Sequence, residues 1–431
     1  MHERNPYRVG PDLRELASKS DALNNCSTST KLSWKNPLVA RLATLHLLSS
    51  EWGIQCQIPT NRLCPTLPSR LNYLLSVKEL VDASRAILDT NHKIVCIDVG
   101  TGASCIYPLL GVAAFGWSFI ASEVDDESFN TARDNVRRNK WEHFISLRHT
   151  LDADPLLMDM LPHDGGSIDI CICNPPFYAK DENPLGRTDL GGQRSIASFS
   201  ETFTEDGEIG FVTKMILESK KLRDRIRWYT SLIGRKSSLD PLIDMLNYVG
   251  APWLRVRKIT QGETHRWILA WSFDPVGALA LSWGKGPKGY AHTCFQTSDT
   301  DIKEIRGRVL EYFGIDPATY EETNDTRESR FTVTDGPIQF SVNVQVLPAI
   351  SQKIETFEIL PQVSERVRAN LCAPIKPVNC EDSGPRVAIA LDSRAAGSVV
   401  DAFWRFAARL RGDVRRDTRK WRRKRARESR D

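Results

Sequence analysis

The chain has 431 residues, of which 41% are hydrophobic and 26% charged, and its formal net charge is +4. This length predicts two or three domains at about 150 residues each, and no run approaches the roughly 18 apolar residues of a membrane span. Neither a signal peptide nor a Cys or His pair at metal-ligand spacing is present, so we expect an unsecreted protein with free thiols and no bound metal.

The N-terminal part is predicted to be a helical extension. The first thirty residues are polar and irregular, and apolar spacing then predicts helices over residues 38–51 and 74–88. Three prolines lie in the segment between these helices and indicate a loop. We assign residues 1–75 to this extension.

Strands and helices alternate after residue 93. Short apolar runs at residues 93–98, 117–122 and 168–173 end in polar residues, and helical patterns follow the first two. The alternation predicts an α/β fold with a mostly parallel, doubly wound sheet that binds its ligand at the carboxyl ends of the strands. The core domain is predicted over residues 76–285, with a further helix at 208–225 and strands at 228–236, 254–258 and 267–272.

A glycine-containing linker at residues 284–289 precedes a second unit. A compact α+β module is predicted over residues 290–410, with a helix at 302–313, strands at 331–334, 338–346, 354–360 and 386–391, and a final helix from 395. Residues 411–431 form a basic tail with eleven Arg or Lys and four Asp or Glu, a local charge of +7. Such a tail is typical of a nuclear-localisation signal or a phosphate-binding arm, and a solvated helix end is the alternative.

The first apolar run ends in a glycine turn, Asp98-Val99-Gly100-Thr101-Gly102-Ala103-Ser104. The two glycines allow close approach of the backbone to a ligand at a helix start. Glu123 lies 23 residues after Gly100, at the end of the next predicted strand, where an acidic residue can accept hydrogen bonds from ribose hydroxyls. Together these features favour an adenosyl or dinucleotide ligand, and a plain glycine turn with a surface glutamate is the alternative.

The third apolar run leads directly into Asn174-Pro175-Pro176-Phe177. The two prolines keep the backbone carbonyls out of a strand ladder. With the Asn174 side-chain oxygen, these carbonyls can accept both hydrogens of a planar amino group and aim its nitrogen at an electrophilic methyl. Phe177 can stack on the ring that bears the amine. The alternative is a proline-stiffened turn with a core phenylalanine.

The order of these motifs resembles class I S-adenosylmethionine-dependent amino-methyltransferases. Over about residues 1–275 the chain is similar to the U6 small nuclear RNA adenine-N6 methyltransferase family, and bacterial ribosomal-RNA adenine-N6 methyltransferases are similar relatives. Besides the two motifs and Glu123-Val124-Asp125-Asp126, the resemblance is carried by Met1-His2-Glu3-Arg4-Asn5, Pro68-Ser69-Arg70-Leu71-Asn72-Tyr73, Arg227-Trp228-Tyr229 and Gln261-Gly262-Glu263-Thr264-His265-Arg266-Trp267.

The resemblance implies a Rossmann-like domain that transfers a methyl group from S-adenosylmethionine to N6 of one adenosine in a structured RNA, such as U6 snRNA or a U6-like hairpin. Cofactor contacts are expected from Arg70, Asp98, Gly100, Thr101, Gly102, Ser104, Glu123 and Asn174. The catalytic pocket is expected to comprise Asn174, Pro175, Pro176 and Phe177. RNA contacts are expected from Arg4, Arg14, Arg227, Arg235, Lys236, Gln261, His265 and Arg266, although a surface or core role for His265 stays open.

The helix and strand order of residues 290–410 is similar to an RNA-binding accessory region of animal family members. The module and the tail are therefore predicted to add RNA affinity, and the tail predicts a nuclear protein, with a cytoplasmic fraction left open. Other acceptors also stay open: ribosomal-RNA adenine, guanine N2, cytosine N4 or a protein glutamine amide. Phe177 favours adenine among these. A catalytically silent RNA-binding scaffold is the alternative from another class, and a nicotinamide-dependent reductase leaves residues 174–177 unexplained.

Overall fold

The computed structural model describes most of the first 275 residues and separate parts of the remainder. The described residues are 1–29, 32–34, 36–88, 92–162, 166, 168–176, 178–179, 203–204, 207–262, 264–274, 292–296, 302–313, 328–335, 338–347, 358–372, 386–391 and 397–414. Within them, every helix is too short or too polar to cross a membrane.

The core is a seven-stranded mixed sheet. Its strands are β1 (Val95–Val99), β2 (Ser118–Glu123), β3 (Ile145–His149), β4 (Ile168–Cys173), β7 (Ile226–Ile233), β8 (Trp253–Gln261) and β9 (Thr264–Ser272). The spatial order is β3-β2-β1-β4-β7-β9-β8. The first five are parallel to one another, whereas β9 runs antiparallel to both β7 and β8. The predicted doubly wound α/β fold is confirmed, and β3 is a strand that the sequence analysis missed.

The parallel strands end along one side of the sheet, here called the carboxyl edge, and begin along the opposite amino edge. The last hydrogen-bonded residue of β7, Ile233, pairs with Trp267 near the start of β9. The turn between β8 and β9 therefore lies at the carboxyl edge, together with the residues that follow β1, β2 and β4. A minor parallel pair, β5 (Tyr178–Ala179) and β6 (Phe203–Thr204), stands apart from this sheet.

Helices cover both faces of the sheet. They are α3 (Pro37–Trp52), α4 (Leu67–Leu88), α5 (Ile106–Phe115), α6 (Asp126–Arg138), α7 (Gly207–Leu222) and α8 (Leu239–Tyr248). All ten residues of α5 are buried, because its sequence is almost wholly apolar. Gly111 lets this helix approach the sheet closely, since a Cβ there would lie 2.2 Å from the Phe119 ring. Helix α4 runs continuously past residue 75, where the predicted boundary of the extension falls.

The first thirty residues are not irregular as predicted. They form two short helices, α1 (Leu13–Ser18) and α2 (Asp21–Ser29). Leu16 and Leu23 are buried in the same apolar core as α3, α4 and α5. Helices this short depend on tertiary packing rather than on propensity, which explains why their few apolar residues gave too weak a pattern.

The C-terminal part contains a four-stranded antiparallel sheet in the order β10-β13-β12-β11. Its strands are β10 (His292–Gln296), β11 (Glu328–Asp335), β12 (Ile338–Leu347) and β13 (Arg386–Leu391), and helices α9 (Ile302–Tyr312) and α11 (Gly397–Val414) pack against it. The predicted helices and three of the predicted strands are confirmed. Residues 415–431 of the basic tail and the linker at 284–289 lie outside the described residues.

The strand predicted at residues 354–360 is wrong in its described part. Residues 358–360 belong to no strand, and they lead into α10 (Glu365–Leu371). Val363, Val367 and Leu371 are buried in the core formed by the N-terminal helices rather than in the C-terminal sheet. Residues 358–372 instead form a segment that packs on α3 and α5, where the amide of Leu360 donates to the Ala113 carbonyl and the amide of Ser364 donates to the Glu51 carbonyl. The fourth strand of the C-terminal sheet is β10, at residues where the sequence predicted no strand.

Candidate active site

The glycine turn follows β1 at the carboxyl edge. Gly100 and Gly102 have φ values of 71° and 67°, in the left-handed region where a side chain would be strained. The amide of Thr101 donates to the Ser122 carbonyl at 2.8 Å and so ties the turn to the end of β2. The turn lies between the ends of two parallel strands, where doubly wound sheets bind their ligands.

Glu123 orders this turn. One carboxylate oxygen accepts the amide of Gly102 at 2.8 Å, and the other accepts the amides of Val124 and Asp125, each at 3.0 Å. The side chain therefore links the glycine turn to the N-terminus of α6, which Asp125 caps. Contact of Glu123 with a ribose stays a prediction, whereas these backbone contacts have no signal in the sequence.

Four polar groups converge near the glycine turn without hydrogen-bond partners among the described residues. They are both carboxylate oxygens of Asp98, the Thr101 hydroxyl, the Nε of Arg70 and the side-chain oxygen of Asn174. The Thr101 hydroxyl is near enough to Asp98 to favour its charged form, but the geometry is not that of a hydrogen bond. Buried polar groups are normally paired, so a cluster of unpaired ones indicates the position of a polar ligand.

Asp98 is the most costly of these groups. It is fully buried, and burial raises the pKa of its carboxyl from 3.8 to about 7, with Glu123 adding to the rise and Arg70 opposing it. Burial of a carboxylate costs hydration free energy unless a hydrogen-bond donor or a cation replaces the lost water. The site therefore favours a ligand with a positively charged donor group next to Asp98.

Two tyrosines that the sequence analysis missed build the wall between α4 and the ends of the strands. The Arg70 guanidinium donates to the Tyr107 hydroxyl at 2.9 Å and lies 5.5 Å from the centre of its ring. Tyr73 packs edge-on against Tyr107, and its hydroxyl accepts the amide of Cys173 at 3.3 Å. Because Cys173 directly precedes Asn174, Tyr73 fixes the backbone from which the predicted catalytic residue extends.

Asn174, Pro175 and Pro176 leave β4 at the carboxyl edge as predicted. Asn174 and Pro176 are half-buried and Pro175 is buried. Phe177 lies outside the described residues. The Asn174 amide oxygen, one of the four unpaired groups, is free to accept a hydrogen from a bound molecule.

A loop over residues 53–66 closes the glycine turn from one side. Buried Arg41 organises it, because its guanidinium donates to four of the loop's carbonyls, including that of Ile58 at 2.6 Å. Asn135 joins the loop to the turn by donating to the carbonyls of Gln57 at 2.8 Å and Ala103 at 3.1 Å. Single polar residues in helices carry no sequence signal of such roles, and these were missed.

Most of the predicted RNA-contacting residues gather at the carboxyl edge. Arg235 and Lys236 follow β7, and Lys236 is exposed. Gln261, His265 and Arg266 flank the turn between β8 and β9, with His265 exposed and 3.2 Å from the Thr260 hydroxyl. This places basic and hydrogen-bonding side chains along the rim that runs from Asn174 to the hairpin.

Three other predicted RNA contacts lie elsewhere. Arg14 is exposed on α1, whereas Arg4 is only 5% exposed. Arg227 is at the start of β7, on the amino edge, where it pairs with Asp169 at 2.8 Å and Asp274 at 3.1 Å. The structure therefore does not bring Arg227 to the rim, because a residue at the start of a parallel strand cannot share an edge with residues at its end. The sequence motif could not distinguish these ends.

No group of three or more His, Cys, Asp or Glu side chains in the described part of the chain is arranged to hold a metal ion.

Known proteins resemble the first two thirds of the chain. The RNA N(6)-adenosine-methyltransferase mettl16 of Xenopus laevis is 39% identical over 289 residues, which cover 63% of this chain and 52% of that protein. The U6 small nuclear RNA (adenine-(43)-N(6))-methyltransferase of Caenorhabditis briggsae is 34% identical over 301 residues, covering 63% and 62%. The chain thus spans about half the length of the vertebrate relative that it matches.

Solved structures resemble the same part. The hMettl16 catalytic domain in complex with a MAT2A 3′UTR hairpin matches with a TM-score of 0.56 and 37% identity, covering 64% of this chain and 96% of that one. The N-terminal domain of human METTL16 in complex with SAH gives 0.53 and 37%, covering 64% and 99%. A family model described as RNA methyltransferase matches residues 1–275, more than half of the chain, and the protein therefore belongs to this RNA methyltransferase family.

Proposed function

We propose that the protein is an S-adenosylmethionine-dependent RNA methyltransferase that modifies N6 of an adenosine in structured RNA, such as U6 snRNA or a U6-like hairpin. The observation that carries the proposal is the cluster of unpaired buried polar groups around Asp98, next to Asn174 and its two prolines. Family membership supports the reaction class, and the relatives in complex with an RNA hairpin and with SAH support the ligands.

The donor set fits S-adenosylmethionine. The Asp98 carboxylate suits the cationic amino group of the methionine part, and the Arg70 guanidinium suits its carboxylate. Glu123, at the end of β2, lies where ribose hydroxyls bind in doubly wound folds. When bound, the cofactor supplies an electrophilic methyl group on a sulfonium. Asp98, Gly100, Thr101, Gly102 and Ser104 would line its methionine side.

Asn174 would orient the acceptor nitrogen. Its amide oxygen and the Pro175 carbonyl can accept the two hydrogens of an exocyclic amine, which aims the nitrogen lone pair and stabilises positive charge as the N–C bond forms. The electron pair of the broken methyl–sulfur bond would stay with the cofactor, and the proton that the amine loses would pass to water. This requires the adenine to leave its stack, so a bulge or loop is the expected substrate.

The rim beside Asn174 would bind the RNA backbone. Arg235 and Lys236 supply positive charge, and Gln261, His265 and Arg266 supply hydrogen-bonding groups on the other side of β7. Phosphate contacts by basic side chains give most of the affinity of such complexes and make it depend on salt. Arg14, Arg4 and Arg227 stay predicted contacts, although the last two would have to be uncovered first.

The basic tail would add RNA affinity and direct the protein to the nucleus. Deleting residues 415–431 tests both proposals in one variant. We expect weaker RNA binding with a shallower salt dependence, and loss of nuclear accumulation of a fluorescent fusion. Unchanged affinity, slope and location in the deletion variant would count against a role for the tail.

The experiment that tests the function is methylation of total small RNA with labelled S-adenosylmethionine, followed by nucleoside mass spectrometry. The full chain is expected to produce N6-methyladenosine. Asn174→Ala should lower turnover at least about a hundredfold while RNA binding is kept, because only transition-state orientation is lost. Asn130→Ala, which alters an exposed asparagine of α6, is the matched control.

The outcomes separate the alternatives. Label in N2-methylguanosine or N4-methylcytidine would move the acceptor to another base, and label in protein would move it to a glutamine amide. A wild-type chain that binds the cofactor and RNA but transfers no label would favour the scaffold alternative. Substantial turnover by Asn174→Ala would contradict the role given to that side chain.

A further inference from the structure

A buried carboxylate lies beneath the basic turn that follows β7. Glu208, in the first turn of α7, is 3% exposed. Its carboxylate accepts the amide of Gly234 at 2.6 Å, the amide of Arg235 at 3.1 Å and the hydroxyl of Ser238 at 2.6 Å. A single side chain thus holds both ends of residues 234–238, and hydrogen bonds to an ionised acceptor are stronger than neutral ones.

This turn lies between the two parts of the rim. Strand β7 pairs in parallel with β4 on one side, so the end of β7 is beside Asn174. On the other side, Ile233 pairs with Trp267, which brings the turn next to the hairpin between β8 and β9. Residues 234–238 therefore lie between Asn174 and the hairpin, where an RNA that contacts both would pass.

The turn has the charge that such a strand requires. Arg235 and Lys236 are consecutive, Lys236 is exposed, and both amides that Glu208 accepts belong to the backbone at or just before this pair. The buried negative charge therefore contacts the backbone of the turn, and the basic side chains extend from a backbone that it fixes. Prearranged contacts of this kind bind a ligand without the entropy cost of ordering the loop.

We propose that Glu208 is a positioning residue for the RNA substrate: it fixes the turn that presents Arg235 and Lys236 beside Asn174. The inference rests on the proposed function. It assigns to Glu208 no contact with RNA, cofactor or the reacting atoms. Loss of the Glu208 carboxylate should therefore weaken RNA binding, whereas kcat at saturating RNA should be kept.

The test is steady-state methylation of an RNA hairpin by the full chain at saturating S-adenosylmethionine and several salt concentrations. Glu208→Gln removes one acceptor and the charge while keeping the shape. We expect KM for RNA to rise about fivefold to twentyfold with kcat within about twofold. The slope of log KM against log salt should become shallower by about one phosphate contact.

A matched control lies on the same helix. Glu218 is 8% exposed, and its carboxylate accepts the amides of Leu156 and Leu157 at 2.9 and 2.8 Å, in a loop after β3. Glu218→Gln thus removes the same chemistry from a different loop. It should lower thermal stability to a similar degree and leave KM for RNA unchanged.

A second set of variants tests whether Glu208 affects RNA binding through Arg235 and Lys236. In the Arg235→Ala, Lys236→Ala double variant, Glu208→Gln should raise KM little further, because the side chains that it positions are gone. Ser238→Ala removes one of the three contacts from the other side and should raise KM less than Glu208→Gln does. This milder variant keeps the test informative if Glu208→Gln does not fold.

The inference would be overturned by an unchanged KM for the Glu208 and Ser238 variants, by a fall in kcat alone, or by full additivity with the double variant. An equal rise of KM in Glu218→Gln would also overturn it, since it would reflect general destabilisation. A wild-type chain that methylates no RNA would instead reject the proposed function, so the two failures are distinguishable.

Discussion

Two buried aspartates on neighbouring strands illustrate how differently the two edges of the sheet are built. Asp98 in β1, towards the carboxyl edge, is 0% exposed, and neither of its carboxylate oxygens has a hydrogen-bond partner among the described residues. Asp169 in β4, at the amino edge, is 3% exposed and accepts His92 Nε2 at 2.7 Å, Arg227 Nη1 at 2.8 Å and the amide of Val95 at 2.9 Å.

Burial alone does not separate a structural carboxylate from one in a binding site. A buried carboxylate with a complete set of donors belongs to the structure, because its desolvation is offset within the chain. A buried carboxylate without them is offset only by something that binds. Both are aspartates in apolar strands, so sequence composition does not separate them, whereas their partners do.

The largest effect is expected at the amino edge. Asp169→Ala leaves Arg227 with only Asp274 and should lower the free energy of unfolding by about 3–5 kcal/mol, the usual cost of breaking a buried ion pair. Urea denaturation measures this. Asp134→Ala, at an exposed position of α6, should change stability by less than about 0.5 kcal/mol. A similar small change for Asp169→Ala would show that the network is not structural.

Asp98→Asn should weaken ligand binding and stabilise the ligand-free protein, which is opposite to the loss of stability expected for Asp169→Ala. Without the negative charge, affinity for S-adenosylhomocysteine should fall about a hundredfold, since a charge-assisted contact is lost. The ligand-free protein should become more stable at pH 8, because an amide costs less to bury than a carboxylate. Calorimetry for binding and thermal unfolding measure the two effects. A loss of both affinity and stability would make Asp98 structural, like Asp169.

The raised pKa of Asp98 predicts that both ligand-free stability and ligand binding depend on pH. The pKa is about 7 in the folded chain and 3.8 without burial. The raised folded pKa favours the folded state below pH 4, and this contribution is lost as pH rises through 7, so ligand-free stability should decline over that window. Binding of S-adenosylhomocysteine should strengthen about tenfold from pH 6 to pH 8, because the ionised fraction of Asp98 rises by that factor. The Asp98→Asn protein should show neither trend.

Much of the carboxyl edge was predictable from the sequence. The glycine turn, Glu123 and Asn174 were found because each follows a short apolar strand, and parallel strands bring their ends together. Tyr73, Tyr107 and Arg41 were missed because their roles depend on contacts between distant helices and loops. Arg227 was assigned to RNA from its motif, since no local pattern shows at which edge a strand residue lies.

The short helices and the edge strand were less predictable. Helices α1 and α2 are short and depend on tertiary packing, and Ile145 is the one residue of β3 that is buried, so its sequence has no apolar run. The residues at 358–360 have an apolar pattern typical of a strand, yet they dock on another part of the chain. A short apolar run does not show whether its residues pair in a sheet or dock on another part of the chain, so the sequence pattern cannot tell the two apart.

The docked segment, residues 358–372, connects the C-terminal part to the N-terminal helices through hydrogen bonds and an ion pair. The amide of Leu360 donates to the Ala113 carbonyl at 2.9 Å, near the end of α5 that leads into β2. Arg366 donates to both oxygens of Glu51 at 2.7 and 2.8 Å and lies 5.4 Å from the centre of the Tyr7 ring. The segment therefore also holds the N-terminal residues against α3.

Arg366→Ala should give the smallest effect of the series. Its side chain is about half exposed, so loss of the pair with Glu51 should cost about 1 kcal/mol of unfolding free energy, with Tyr7 losing a packing partner. Hydrogen exchange at Tyr7 and Arg8 should accelerate in the variant, while exchange in β4 stays unchanged, because the global core is kept. Glu365→Ala, at the neighbouring exposed position, should alter neither quantity.

If exchange at Tyr7 and Arg8 is the same in both variants, the segment packs on α3 and α5 without ordering the N-terminus. A faster rate in Arg366→Ala alone would mean that C-terminal residues hold in place the part of the chain that leads to Arg14 and the predicted RNA contacts.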